Sequence, residues 1–199
     1  EETLSLSRFL RLPALASLLG LLGVAVAHAV IVPPNFTADN AVPGTAFVVP
    51  TSIAFLPDGS FLVGEKRGMV WMVRNGVKLA NPIWTNTNQV LDYQDRGLLD
   101  VAVDPNYRTN HYVYFLYTVD PDSNGVDDNV LAFGRLVRFT MNSVGDTNTV
   151  NINSRVVLMG VDWRHGPLIA SLSHTIGSMR WGSDGSLLVT AGDGGSFMD

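Results

Sequence analysis

The chain has 199 residues, of which 46% are apolar and only 16% charged, with 19 glycines, 10 prolines and a net charge of −5. That is a turn-rich globular composition, and a negative balance without any basic run argues against a nucleic-acid partner. Cysteine is absent, which excludes disulfides, thiolate metal sites and a cysteine nucleophile but leaves export open.

The first segment has the anatomy of a signal peptide. Arg8 and Arg11 form a basic start, Leu12 to Val26 is apolar and rich in small residues, and Ala27-His28-Ala29 is an A-x-A cleavage site. The apolar run is short for a membrane anchor and passes at once into polar, proline-containing sequence. Residues 1–29 are therefore expected to be removed, leaving a mature chain from about Val30, secreted or periplasmic and without a membrane span. Glu1-Glu2 in the place of an initiating Met is expected to reflect a start that is missing or mis-called. Asn35-Phe36-Thr37 fits the glycosylation acceptor pattern.

From Val30 to Val48 the chain reads as an extended lead-in. Ser52 to Glu65 then shows an apolar strand, a Pro57-Asp58-Gly59 turn and a second apolar strand. Met69 to Val73 predicts a third strand before Asn75-Gly76, a strong hairpin signal. Leu98 to Val103 and His111 to Thr118 predict two strands joined through a longer polar turn at Pro105. Asp120, Asp122, Asn124 and Asp128 are spaced like the first half of a calcium loop. Leu131 stands where that loop needs Glu, so the plainer alternative is an exposed hairpin loop. Leu131 to Thr140 predicts a strand with Arg135 and Arg138 turned outward, Val144 to Ser154 a loop, and Arg155 to Val161 a strand. Asp162 to Ser173 is an insertion carrying His165. Trp71, Trp84, Trp163 and Trp181 are expected to pack within sheets. No long helical periodicity occurs.

The last segment is the most informative. Residues 173–195 read as a hairpin turning on Gly182-Ser183-Asp184-Gly185, with His174 and Asp193 about equally far from the turn. Such residues come out opposite each other at the open end. A carboxylate there fixes the imidazole tautomer and stabilises the protonated ring, as a general base requires. A histidine at a strand start and an aspartate between glycines also occur for purely structural reasons.

Similar hairpins at Pro57, Pro105 and Ser183 argue for radially repeated sheets, an all-β propeller, with a sandwich as the alternative. About 170 residues remain after the leader, whereas one blade takes about 40 to 50. Residues 30–199 therefore have room for about three blades.

Three stretches carry a family resemblance: Pro50 to Asn75, Asp95-Arg96-Gly97-Leu98-Leu99 through Thr118, and His174 through Gly195. They resemble the glucose/sorbosone dehydrogenases, soluble six-bladed β-propellers that use pyrroloquinoline quinone (PQQ). The resemblance implies that residues 30–199 are a truncated domain, the N-terminal part of a six-bladed β-propeller with about three blades and an incomplete ring. The last stretch resembles that family's His-x-Gly-Gly…Phe-Gly-Pro-Asp-Gly…Gly-Asp signature. The resemblance implies that His174 takes the proton of a sugar's anomeric hydroxyl while hydride passes to PQQ, and that Asp193 orients His174. It places Asp95, where the family has Gln or Glu, facing substrate or cofactor. It implies calcium with PQQ, most ligands of both lying in later blades, so that this chain alone is expected to be inactive. The sequence departs from the pattern at Ile176, which replaces the first paired glycine and is expected to reshape the pocket floor, at Ser173 and at Asp95. A non-catalytic extracellular propeller acting as a binding module is the alternative. A calcium-dependent lactonase would need an axial Glu/Asn/Asp ligand set that cannot be assembled here.

Overall fold

The computed structural model describes residues 32–126, 131–142 and 148–195. The leader and Asp128 lie outside the described residues. The chain divides into two compact units, Glu1–Asp39 and Asn40–Asp199. In the described part of the first, the Phe36 amide closes a turn on the Pro33 carbonyl at 3.1 Å.

The second unit carries three antiparallel sheets. The first contains β1 (Pro50–Phe55), β2 (Phe61–Glu65), β3 (Met69–Arg74), β4 (Val77–Lys78) and β5 (Trp84–Thr85), in the order β1-β2-β3-β4 with β5 also on β3. Asn75 (φ 51°) and Gly76 (φ 73°) make the predicted tight turn between β3 and β4.

The second sheet contains β6 (Leu98–Val103), β7 (Tyr112–Val119), β8 (Ala132–Met141), β9 (Val150–Met159) and β10 (Leu168–Ile169). Its order is β10-β8-β7-β6, with β9 also on β8. The polar turn at Pro105 winds into one helical turn, α1 (Tyr107–Asn110). Asp104 anchors it, accepting the Asn106 amide (2.8 Å) and the Tyr114 hydroxyl (2.7 Å). The third sheet is the hairpin of β11 (Ile176–Trp181) and β12 (Leu187–Ala191).

Two of the three turns are built alike, which makes the repeat physical. Asp58 accepts the Ser60 amide and Asp184 the Ser186 amide, each at 3.0 Å. Gly59 (φ 87°) and Gly185 (φ 83°) take the left-handed conformation that the reversal needs. Leu56 and Gly182 then donate to the carbonyls of Ser60 and Ser186, both at 2.8 Å.

The middle sheet is covered on both faces. One core joins it to the first sheet through Leu62, Val70, Trp84, Leu98, Phe115 and Phe139. A second joins it to the third sheet through Leu116, Leu136, Ile176 and Met179. Every residue of β7 after Tyr112 is therefore buried, as in a two-sided strand. The leading strands β1, β6 and β11 lie next to one another in succession. Thr51 Oγ1 donates to the Leu98 carbonyl (2.7 Å), and Trp181 Nε1 to the Val103 carbonyl (2.8 Å). A two-layer sandwich has no such doubly covered sheet, so the architecture is a partial β-propeller. Among the described residues no strand pairing joins the third sheet to the first. Ile53, Phe55 and Leu188 are exposed on the first and third sheets.

Three expectations need correction. Val150–Ser154 is not loop: it pairs with β8, Thr140 opposite Asn151 and Met141 opposite Val150. Polar residues are tolerated because this outer strand exposes Asn151, Ile152 and Asn153, so the pairing edge outweighs their weak β-propensity. The insertion 162–173 contains a short strand, β10, on β8. Trp84 packs on Phe115 with ring centroids 4.9 Å apart, and Trp181 on Tyr114 at 5.4 Å, but Trp163 is 48% exposed, with Arg164 over its ring.

Asp100 is the main polar link between the second and third sheets. It sits at the β6 bulge, 4% exposed, and accepts from the amides of Val101 (2.9 Å) and Met179 (2.6 Å) and from Arg180 (3.2 Å). Asp100→Ala leaves the Met179 amide without its acceptor and is expected to cost about 1–3 kcal/mol, read from the urea midpoint. Asp100→Asn, which keeps an acceptor, is expected to cost less; equal loss in both would show that the charge dominates.

Candidate functional site

The site lies at the open end of the β11–β12 hairpin. Ile176 pairs with Ala191, so His174 and Asp193, each two residues further out, emerge opposite one another. His174 Nδ1 is 3.0 Å from Asp193 Oδ1. The Gly195 amide donates to the same carboxylate at 3.0 Å. That amide first, and His174 second, hold the Asp193 acid below the ordinary value of 3.8. Asp193 is therefore anionic at neutral pH, and its partner nitrogen must carry the proton. Nδ1–H faces Asp193, so the neutral form of the ring has its lone pair on Nε2.

The main chain beneath the pair is tightly specified. His174 adopts φ 52°, a left-handed conformation uncommon for a side-chain-bearing residue. Its carbonyl accepts the Gly194 amide (3.0 Å), while Gly192 donates to the Thr175 carbonyl (2.5 Å). A Cβ on Gly192 would stand 2.3 Å from the His174 carbonyl oxygen. Only glycine permits that approach.

The turn before β6 meets the hairpin here. The Asp95 amide donates to the Leu172 carbonyl (3.1 Å), and the Asp95 carbonyl accepts Thr175 Oγ1 (2.7 Å). The Asp95 carboxylate accepts the His174 backbone amide at 3.3 Å. Lys66, just after β2, donates from its ammonium to the Gln94 carbonyl. Lys66, Asp95, Leu99, His174 and Ile176 line an open cleft of about 500 Å³. His174, Asp193 and Asp95 are thus brought together at one cleft. Lys66 had no sequence signal, because only the stacking of successive sheets brings it to the cleft.

Ile176 does not simply fill the floor. It is buried, and its Cγ2 lies 2.3 Å from where a Cβ on Gly134 of β8 would be. The bare backbone of Gly134 makes room for the branch that replaces the family's glycine. Ser173 is buried and donates to the Gly195 carbonyl (3.3 Å).

The other polar clusters have local explanations. His165 Nδ1 is 2.7 Å from Asp162 Oδ1, but the same oxygen accepts the Arg164 amide at 2.8 Å, closing an exposed turn. Asp120 accepts the amides of Asp122 and Gly125, Asp122 that of Asn124, and Asn124 that of Val126. These oxygens bind loop amides, which is hairpin-loop chemistry. Among the described residues no group of three or more His, Asp or Glu is placed to hold a metal. No described helix is long and apolar enough to cross a membrane.

Solved structures share this architecture. The PQQ-bound aldose sugar dehydrogenase of Streptomyces coelicolor superposes with a TM-score of 0.56 at 20% identity, over 79% of this chain and 41% of that one. The glucose dehydrogenase-type oxidoreductase of Thermus thermophilus gives 0.51 at 26% identity, over 77% and 39%. The fold is thus that of β-propeller sugar dehydrogenases, seen over about two-fifths of their length. Residues 47–199 match the family model described as Glucose / Sorbosone dehydrogenase, and the chain belongs to that family. Similar curated sequences are an uncharacterized protein of Synechocystis, 28% identical over 74% of this chain and 33% of that protein, and the mouse Hedgehog-interacting protein, 27% over 75% and 21%. The chain spans a third or less of these two relatives.

The His174–Asp193 contact has a consequence in acid. A depressed carboxylate stabilises the pair above the unfolded value and loses that contribution as pH falls through the folded one. Asp193 is expected to titrate below 3.8 by carboxyl-carbon NMR, and His174→Gln to move its midpoint upward. An unchanged midpoint would mean that the two side chains do not pair in solution.

Proposed function

We propose that this chain carries the base of a PQQ-dependent sugar dehydrogenase that oxidises the anomeric hydroxyl of aldoses. The observation supporting this is the His174–Asp193 pair at 3.0 Å, on the rim of a cleft. With Nδ1–H toward Asp193, the Nε2 lone pair accepts the hydroxyl proton, and the Asp193 anion stabilises the resulting imidazolium. The sugar loses that proton from oxygen and a hydride from C1, two electrons in all, and becomes the lactone.

The cleft fits one edge of a flat anionic cofactor: Leu99 and Ile176 are apolar, and Lys66 brings a positive charge suited to a carboxylate. PQQ, when bound, supplies an electron-poor quinone that accepts the hydride and passes the electrons to an external acceptor. The PQQ-bound Streptomyces structure supports this choice of cofactor. No step is assigned to calcium. The leader-like segment from Arg8 to Ala29 supports a secreted or periplasmic location.

A second reading, an extracellular binding module, is favoured by the likeness to the Hedgehog-interacting protein. Cofactor binding separates the two. The complete gene product, loaded with PQQ and calcium, is expected to reduce a dye in the presence of aldoses. His174→Ala is expected to lower the rate by about 10²–10⁴, and Asp193→Asn by less, since the base remains. The 199-residue chain alone is expected to be inactive. A folded gene product that does not bind PQQ would contradict the enzyme reading and favour the module.

A further inference from the structure

We infer that Asp95 is a positioning residue, whose carboxylate holds the His174 main chain in the left-handed conformation that aims the imidazole at Asp193. The consequence for catalysis rests on the dehydrogenase reading; the structural claim does not.

In the left-handed conformation at φ 52°, His174 lies just before the β11–β12 ladder, which starts at Ile176. The ladder does not take its amide; Asp95 Oδ2 accepts it at 3.3 Å. Asp95 is itself fixed on both sides of that bond. Its amide donates to Leu172, and its carbonyl accepts Thr175 Oγ1 at 2.7 Å. One residue of the second sheet's entry turn thus spans positions 172, 174 and 175. From the opposite side, Gly194 holds the His174 carbonyl at 3.0 Å and bare Gly192 lets it seat. Backbone geometry of this kind persists only when its surroundings over-determine it. The short Asp side chain suits the task, since its carboxylate stays close to its own main chain, which is already tied to Leu172 and Thr175. Asp95 also lines the cleft, so contact with substrate is the competing role.

The test reads the His174 ring nitrogens by NMR in the 199-residue chain, its signals identified by their loss in His174→Gln. Wild type and Asp95→Asn, which keeps a carbonyl acceptor, are expected to show the neutral ring protonated at Nδ1. Asp95→Ala is expected to shift the ring toward the Nε2-protonated tautomer. Thr175→Val, which removes the other tie while leaving Asp95 in place, is expected to do so in part and serves if Asp95→Ala does not fold. An unchanged tautomer in both Asp95→Ala and Thr175→Val would overturn the inference. So would Asp95→Asn behaving like Asp95→Ala, because charge rather than the acceptor would then matter. In the PQQ-loaded gene product, Asp95→Ala is expected to lower kcat about 10- to 100-fold with little change in KM. A raised KM at unchanged kcat would instead make Asp95 a substrate-binding residue. Failure of PQQ binding would remove this kinetic arm and the dehydrogenase reading while leaving the NMR result to decide the positioning claim.

Discussion

The site depends on one close approach, the His174 carbonyl lying against bare Gly192. The β11–β12 ladder ends at the Ile176–Ala191 pair, and beyond it two strands would ordinarily splay. Here Gly192 and Gly194 donate to the carbonyls of Thr175 and His174, extending the pairing by two residues. That extension places Asp193 opposite His174, although the Asp193 side chain stays 77% exposed. Because Gly192 has no Cβ, the two backbones come within a distance that any side chain would block.

A hairpin alone is too weak to hold such geometry. Among the described residues the third sheet has two strands, and it is tied to the middle sheet through Asp100, Trp181 and the Ile176–Gly134 contact. The middle sheet is held in turn from its other face by the aromatic cluster around Trp84. The candidate site thus sits on the third sheet, with the middle sheet tied to the sheets on both of its faces. This is how a propeller places functional side chains on short segments while its blades stay rigid.

Much of this was legible in the sequence because it is local. Asp58-Gly59-Ser60 and Asp184-Gly185-Ser186 announce the same turn, and counting outward from the second brings His174 opposite Asp193. Asn75-Gly76 is equally readable. What stayed hidden depends on sheet stacking. Val150–Ser154 looks like loop because Asn and Thr dominate it, and only the exposed edge of β8 makes it strand. Ile176 looks like an obstruction until Gly134, far away in sequence, is seen to leave it room. Asp95 offers a carboxylate in either role, and nothing in the sequence tells that its carboxylate meets the amide of His174. The exposed Trp163 has no counterpart in the pattern that placed the other tryptophans in the sheets.

Membership in the glucose/sorbosone dehydrogenase family frames these details without deciding the chemistry, since the chain covers about two-fifths of the solved propellers it resembles. The central claim is that His174 removes the sugar's proton. The most direct measurement is single-turnover reduction of bound cofactor by an aldose in His174→Ala, with and without added imidazole. The account predicts that the rate collapses on substitution and rises with imidazole concentration, a free base replacing the missing one. A His174→Ala protein that binds PQQ and sugar and turns over at the wild-type rate without imidazole would contradict it.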